Sequence, residues 1–176
     1  DKAGQSKCYG NLGLAYHSLG DFKRAIEYHK NSLEIDREIG DKAGQSKCYG
    51  NLGLAYHSLG DFKRAIKCHK NSLDINREIG DKAGESKCYG NLGLAYHSLG
   101  DFKKAVEYHN KSLDIAIKIG DKEVASIAYY NLAFIYYTES NYEKSLDYAE
   151  NSLALTEQVR ETLIREELAH IPHIYI

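Results

Sequence analysis

The chain repeats itself at an interval of 40 residues, and this periodicity restricts its fold more than any other feature. Residues 7–20 read KCYGNLGLAYHSLG, and the same fourteen letters return at residues 47–60 and 87–100. A fourth unit has diverged but keeps the register. Self-similarity of this kind is typical of repeat proteins, in which each unit packs mainly on its neighbours. We therefore divide the chain into units at residues 1–40, 41–80, 81–120 and 121–160.

The spacing of apolar residues within a unit predicts two helices. Tyr9, Leu12 and Tyr16 lie three and four positions apart, as on one face of a helix, and the same spacing recurs after residue 22. Gly20 can take the left-handed conformation that ends a helix, and Asp21 can cap the next one. Each unit is therefore a hairpin of two helices, each roughly 25 Å long at 1.5 Å per residue. One hairpin cannot bury its own apolar face, so the units must stack into an all-α solenoid.

The unit resembles the tetratricopeptide repeat over residues 1–160, through the segments NLG, AY, GDF, AIEY and SL. The matching positions in unit one are Leu12, Gly13, Tyr16, Gly20, Phe22, Ala25 and Leu33. Forty-residue units joined by REIGDKAG are most similar to the Pins/LGN type of G-protein signalling modulators. The resemblance implies a right-handed α-α superhelix of four helical hairpins, with the first helices lining a concave groove.

Residues 161–176 follow the fourth unit. Residues 161–170 have helical spacing, and their apolar side chains are available to cover the open face of that unit. No glycine separates this segment from the preceding helix, so the two can be continuous. Pro172 then ends the helix and leaves an apolar tail. We expect a C-terminal capping helix extension and an apolar tail.

One stripe of the first helix should face the groove, because residues three and four apart share a helix face. In unit one this stripe contains Lys7, Gly10, Asn11, Leu14 and His17. Stacking turns the positions into rows. We expect the following residues to contact an extended peptide: Lys7, Lys47 and Lys87; Asn11, Asn51, Asn91 and Asn131; Leu14, Leu54, Leu94 and Phe134; His17, His57, His97 and Tyr137.

Asparagine is the only residue of this stripe that all four units keep. Its amide both donates and accepts hydrogen bonds, so it can pair with the backbone of a peptide ligand or brace a neighbouring helix. The lysine row is either a solvated face or a counter-surface for acidic side chains. Metal ligands must converge on one ion, which equivalent side chains of successive units cannot do, so the histidine row predicts no metal site.

Three further expectations concern packing. Gly13, with its equivalents Gly53 and Gly93, should lie where the helices of a hairpin cross most closely. His29, with its equivalents His69 and His109, should pack in the core, where the family often has an aromatic residue. Leu12 should face the second helix of its unit, and Ile117 should be buried at the junction of units three and four.

Composition excludes several classes of function. The net charge of −2 predicts neither nucleic-acid binding nor attachment to a membrane surface, and no apolar run approaches the roughly 20 residues that span a bilayer. The four cysteines are best explained as reduced, buried thiols in a cytoplasmic protein. No methionine occurs and the chain opens on the first residue of a unit, so we expect it to be part of a longer protein.

No nucleophile, base and orienting group occur at a recognisable spacing, and no phosphate-binding loop or cofactor motif is present. The sequence therefore predicts a protein that is not an enzyme, needs no cofactor, and holds a protein or peptide ligand in its groove. The alternative is a structural spacer or a module that self-associates end to end, since near-identical units can stack on one another.

Overall fold

Eight α-helices occupy the part of the chain that the structure describes. The structure is a computed structural model, and it describes the backbone of residues 1–169 and the side chains of residues 1–162. The helices are α1 (Lys2–Ser18), α2 (Phe22–Glu38), α3 (Lys42–Ser58), α4 (Phe62–Glu78), α5 (Lys82–Ser98), α6 (Phe102–Ile119), α7 (Lys122–Thr138) and α8 (Tyr142–Ala169). Each unit contributes one hairpin, and no strand interrupts the described residues, so the predicted all-α solenoid is confirmed.

The predicted punctuation sets these helix boundaries. Gly20 has a φ of +76°, and the carboxylate of Asp21 accepts a hydrogen bond from the backbone N–H of Arg24 at 3.1 Å. The left-handed residue ends the helix and lets the chain turn back, and the capping aspartate satisfies a free N–H of the next helix. In the fourth unit Ser140 takes the left-handed conformation instead, with a φ of +59°.

The core lies between the hairpins as well as inside them. Ile26 and Leu33 of α2 form one cluster with Cys48 and Leu52 of α3. The first helices α3, α5 and α7 are therefore each covered by the second helix of the preceding unit, as stacking requires.

This arrangement corrects the expectation for Leu12. Leu12 is 42% exposed, whereas Leu52 and Leu92 at the equivalent positions are 3% and 0% exposed. The structure describes no helix ahead of α1, so this face has no cover among the described residues. Cys8 is exposed for the same reason, while Cys48 and Cys88 are buried and Cys68 is half-buried. The prediction of buried thiols is therefore wrong for Cys8.

The junction of units three and four is apolar but is not built as expected. Ala116 of α6 packs with Ala125, Ala128 and Leu132 of α7. Ile117 is 56% exposed, so the prediction of its burial is wrong. The helix turns the position of Ala116 toward α7 and carries the next residue about 100° away around its axis.

The last helix continues past the fourth unit without a break. Helix α8 runs through Ala169, so the expected capping segment is its extension. Pro172 and the apolar tail lie outside the described residues. Among the helices that the structure describes, none combines the length and the apolar character needed to cross a bilayer.

Candidate functional site

Three clefts open between the first helices of successive units. The first cleft, between α1 and α3, forms an open pocket of about 310 Å³, and the second, between α3 and α5, forms one of about 290 Å³. The third cleft, between α5 and α7, contains two cavities of about 120 and 220 Å³. These two share Leu94, His109 and Asn131, so they adjoin.

Most of the predicted groove residues line these clefts. The lining residues among them are Lys7, Lys47, Lys87, Asn11, Asn51, Asn91, Asn131, Leu14, Leu54, Leu94, Phe134 and His97. The structure thus brings the lysine, asparagine and leucine rows together along one surface.

The remaining three predicted residues make other contacts. Nε2 of His17 lies 3.2 Å from the hydroxyl of Ser58, and Nε2 of His57 lies 3.0 Å from that of Ser98. These two histidines therefore link the first helix of one unit to that of the next. Tyr137 packs edge-on against Tyr142, with ring centroids 5.7 Å apart.

The asparagine amides in the clefts have no protein partner. Asn51, Asn91 and Asn131 are half-buried and Asn11 is exposed, yet none of the four side chains makes a hydrogen bond within the described part of the chain. A brace to a neighbouring helix would require such a bond. The amides are therefore available to a bound molecule.

The groove lysines are likewise without ion-pair partners among the described residues. Lys2 and Lys42, near the start of their helices, pair with Glu38 and Glu78 at 2.7 and 3.2 Å. Lys7, Lys47 and Lys87 are exposed and form no such pair. The row thus places positive charge in the groove, beside the carboxylates of Asp36 and Asp41 in the first cleft and of Asp81 in the second.

A row of serine pairs forms the floor of the clefts, and sequence reasoning missed it. The hydroxyls of Ser6 and Ser32 lie 2.8 Å apart, and the Ser32 hydroxyl also lies 3.0 Å from the backbone carbonyl oxygen of Ser6. The same pairing recurs at Ser46 with Ser72, Ser86 with Ser112, and Ser126 with Ser152, and the last of these pairs lies outside the three clefts. Both serines occur in all four units, so their persistence in the divergent unit was the signal that could have revealed them.

Three glycines, Gly10, Gly50 and Gly90, leave the space above the serine pairs free of side chains. A Cβ placed at Gly10, Gly50 or Gly90 would meet the serine hydroxyl beneath it at 3.7, 3.9 or 3.5 Å, which is ordinary contact. A side chain is therefore sterically possible, but it would fill the cleft. The three glycines leave the helix backbone accessible to a ligand.

The polar character of the floor decreases along the array. Asp36 is buried in the first cleft and accepts a hydrogen bond from Ser6 at 2.5 Å, and Asn76 accepts one from Ser46 in the second cleft at the same distance. The equivalent residue of the third cleft is the buried Ala116. The clefts therefore share one backbone plan but differ in chemistry.

Glycine and histidine form a second repeated pair, below the groove. A Cβ at Gly53 would lie 2.6 Å from both ring nitrogens of His69, which is 1% exposed. His29 and His109 lie against Gly13 and Gly93 in the same way. Both expectations, a close crossing at these glycines and core packing of the histidines, are confirmed. Burial lowers the pKa of all three histidines to about 4, so they are neutral at pH 7.

The described residues contain no cluster of three or more histidine, cysteine, aspartate or glutamate side chains that could hold a metal ion. Burial raises the pKa of the Cys48 thiol to about 12, which keeps it protonated and unreactive. The site is thus equipped for hydrogen bonding and apolar contact.

Comparison with solved structures finds the same fold in proteins that share little sequence. BtubC from P. vanneervenii is 21% identical, with a TM-score of 0.81 over 91% of this chain and 66% of that chain. A signal transduction ATPase with a tetratricopeptide repeat sensor from Pyrococcus horikoshii is 27% identical, with a TM-score of 0.81 over 92% of this chain and 25% of that chain. A Rap protein complexed with competence and sporulation factor is 19% identical, with a TM-score of 0.80 over 89% and 45%.

The chain spans less than two thirds of the length of each of these proteins. Comparison of the sequence with curated proteins finds no match. The tetratricopeptide repeat family matches residues 4–78 and 49–118, and a second description of the same repeat matches residues 127–161. With all four units covered by these matches and the hairpins stacked as described, the chain belongs to the tetratricopeptide repeat family.

Proposed function

We propose that this chain is a non-catalytic scaffold that holds an extended peptide, or an unstructured segment of a partner protein, along the three clefts. The observation that carries the proposal is the row of asparagine amides, which line the clefts and make no hydrogen bond within the described residues. Buried or half-buried polar groups normally have partners, and an extended backbone offers both donors and acceptors at regular intervals.

The lysine row favours a ligand with acidic side chains. Lys7, Lys47 and Lys87 are exposed and unpaired, so an acidic segment would find positive charge at each cleft. Such contacts weaken with salt, because exposed charges are screened over about 10 Å at 0.1 M ionic strength. The rigid array supplies the surface, and the ligand bears most of the loss of conformational freedom.

The fold has a record of recognition in other proteins. One structure of similar fold is complexed with competence and sporulation factor, and the repeats of another are described as a sensor. None of the structures named above is of the Pins/LGN type, so that subtype remains a sequence resemblance. The free thiols fit a reducing compartment, which favours the cytoplasm.

The test begins with peptides selected from a random library displayed on phage, using the intact chain as bait. One selected peptide is then synthesised and titrated calorimetrically. The double variant Asn51→Ala/Asn91→Ala should weaken its binding roughly five- to 150-fold, since two lost hydrogen bonds of roughly 0.5–1.5 kcal/mol each total about 1–3 kcal/mol, and 1.4 kcal/mol corresponds to tenfold.

The matched control is Asn31→Ala/Asn71→Ala, which removes the same amides from the second helices, away from the cleft linings. This control should retain wild-type affinity, and circular dichroism should show unchanged helix content in both variants. Full affinity in the Asn51→Ala/Asn91→Ala variant would reduce the asparagine row to a duplicated residue without a binding role.

A second candidate function is end-to-end association, and the uncovered face of α1 favours it. Leu12 and Cys8 are exposed there, although the same side chains are buried in units two and three. A hairpin from another copy would bury them. Light scattering over a dilution series tests this: a mass that rises with concentration, and does not rise in Leu12→Glu, supports association, whereas a constant monomer mass contradicts it.

A further inference from the structure

The third cleft leaves a histidine nitrogen without the partner that its equivalents have. His17 and His57 each pair through Nε2 with a serine hydroxyl of the next unit. The equivalent residue for His97 is Thr138, but the Thr138 hydroxyl donates to the carbonyl oxygen of Ile135 at 2.7 Å. Nε2 of His97 is buried, and because Thr138 bonds elsewhere it has no hydrogen-bond partner among the described residues.

His109 adds a second ring with unpaired nitrogens at the same place, although both nitrogens of His29 and Nδ1 of His69 also lack partners among the described residues, so His97 alone distinguishes the third cleft. His109 is 1% exposed, both of its ring nitrogens lack partners within the described chain, and it lines both cavities of the third cleft. A neutral imidazole carries one N–H donor and one acceptor nitrogen. Since buried polar groups in proteins almost always have partners, the unpaired Nε2 of His97, whose equivalents in His17 and His57 are paired, marks a place where a hydrogen-bonding group is missing.

The cavity beside these nitrogens has the size and lining of an aromatic subsite. Its volume is about 220 Å³, and Leu94, Phe134 and Ile135 contribute apolar walls. An enclosed apolar cavity of about 150 Å³ holds benzene, so this half-open pocket has volume enough for one aromatic ring. Unit four also replaces the glycine of the stripe by Tyr130, which is mostly exposed at the mouth of the cavity.

We infer that this cavity is a subsite for a tyrosine side chain of the peptide partner, with the phenol ring between Leu94, Phe134 and Ile135 and its hydroxyl paired with the free nitrogens of His97 and His109. A phenol hydroxyl both donates and accepts, so it can satisfy an acceptor nitrogen and an N–H. An indole only donates and a phenyl ring does neither, which favours tyrosine over tryptophan and phenylalanine.

This assignment rests on the proposed function, because it names a feature of the ligand in the same groove, but it can be tested without any partner. The probes are p-cresol, which is the tyrosine side chain as a free molecule, and toluene, which has the same ring and methyl group without the hydroxyl. Each is titrated into the ¹⁵N-labelled chain and followed by amide chemical shifts. The shifts should concentrate in α5 and α7, and p-cresol should bind about three- to tenfold more tightly than toluene, as one hydrogen bond allows.

The variant His97→Phe keeps a flat ring of similar size and removes the nitrogen. It should erase most of the preference for p-cresol while toluene still binds. The matched control is His57→Phe, where the lost nitrogen already pairs with Ser98, and this variant should retain the preference. If His97→Phe does not fold, the comparison of p-cresol with toluene on the unaltered chain still tests the subsite.

Equal affinities of the two probes for the unaltered chain would overturn the subsite. So would shifts spread evenly over the three clefts, or a preference that survives in His97→Phe. A groove that binds selected peptides through its asparagines but shows no preference for p-cresol keeps the proposed function and loses the subsite. If p-cresol is preferred but no peptide can be selected, the phenol-binding pocket is retained and the proposed peptide-binding function is rejected.

Discussion

The pairing of glycine with a buried histidine gives a sharp prediction about stability. We expect Gly53→Ala to destabilise the chain, although alanine is the better helix former. The new methyl group would lie 2.6 Å from both ring nitrogens of His69 and closer still to Cε1. The imidazole is 1% exposed, so it has no free volume into which to move.

Two effects of opposite sign determine the magnitude. Replacing glycine by alanine inside a helix stabilises by about 1 kcal/mol. Forcing an extra methyl group into a packed core destabilises by about 1–3 kcal/mol, and three ring atoms inside normal contact distance place this site at the upper end of that range. The net loss should be about 1–2 kcal/mol, which lowers the melting temperature by roughly 2–8 °C for a chain of this size.

The matched control lies three residues earlier on the same helix. A Cβ at Gly50 would meet only the Ser72 hydroxyl, at 3.9 Å, so Gly50→Ala should gain the helix propensity without the clash. It should raise the unfolding free energy by about 1 kcal/mol. Thermal and urea unfolding followed by circular dichroism measure both variants.

A double-mutant cycle then identifies the histidine as the cause. The fourth unit carries Ala133 and Ala149 at the positions of Gly53 and His69, so alanine at both positions already occurs in the array. Gly53→Ala should therefore become neutral or stabilising in the His69→Ala background, a coupling of about 1–3 kcal/mol. If Gly53→Ala has the same effect in both backgrounds, the ring is not what the glycine accommodates and the reasoning fails.

Two further predictions follow from burial. The pKa of His29, His69 and His109 is about 4 in the folded chain, against 6.5 when unfolded. Between these values the unfolded chain binds more protons, so the unfolding free energy should fall as pH drops from about 6.5 to 4. The loss should reach up to roughly 2 kcal/mol per histidine between pH 7 and 5. Urea unfolding at both pH values measures this, and a His69→Phe variant with an undiminished pH dependence would contradict it. Leu52→Ala should cost about 2–5 kcal/mol because Leu52 is buried against α2, whereas Leu12→Ala should cost well under 1 kcal/mol because its face is open. Equal losses in thermal unfolding would show that the face of α1 is covered in solution.

The sequence predicted the helices and turns well because their causes are local. Gly20 and Asp21 end one helix and begin the next through their own backbone conformation and side chain, and every unit repeats that signal. The exposure of Leu12 and Ile117 could not be obtained in this way. Both depend on what lies across an interface: no described helix precedes α1, and the rotation of α6 directs Ala116 rather than Ile117 toward α7.

The candidate site was predictable where a single helix face determines it. Helical spacing alone placed the asparagine and lysine rows on one surface. The serine floor and the unpaired His97 involve two helices separated by 26 or 41 positions along the chain, so one-dimensional spacing does not reveal them. Thr138 differs from Ser58 and Ser98 by a single methyl group, yet its hydroxyl bonds to its own helix, and only the structure shows that change of partner.

The near-identity of the units therefore has a different meaning at different positions. Where the helices cross, glycine and histidine change together: units one to three have both, and unit four has alanine at both positions. On the groove side the asparagine persists in all four units, while the neighbouring positions vary from Lys7 to Ile127 and from Leu14 to Phe134. An amide repeated in every unit, between neighbours that vary, suits a ligand whose backbone makes the same contact in each cleft and whose side chains make different contacts in each. On this reasoning duplication supplied the rigid frame, and the many substitutions of unit four include Tyr130 and Phe134, which place aromatic side chains at one end of the row of clefts. A peptide held as proposed would therefore meet different chemistry at its two ends.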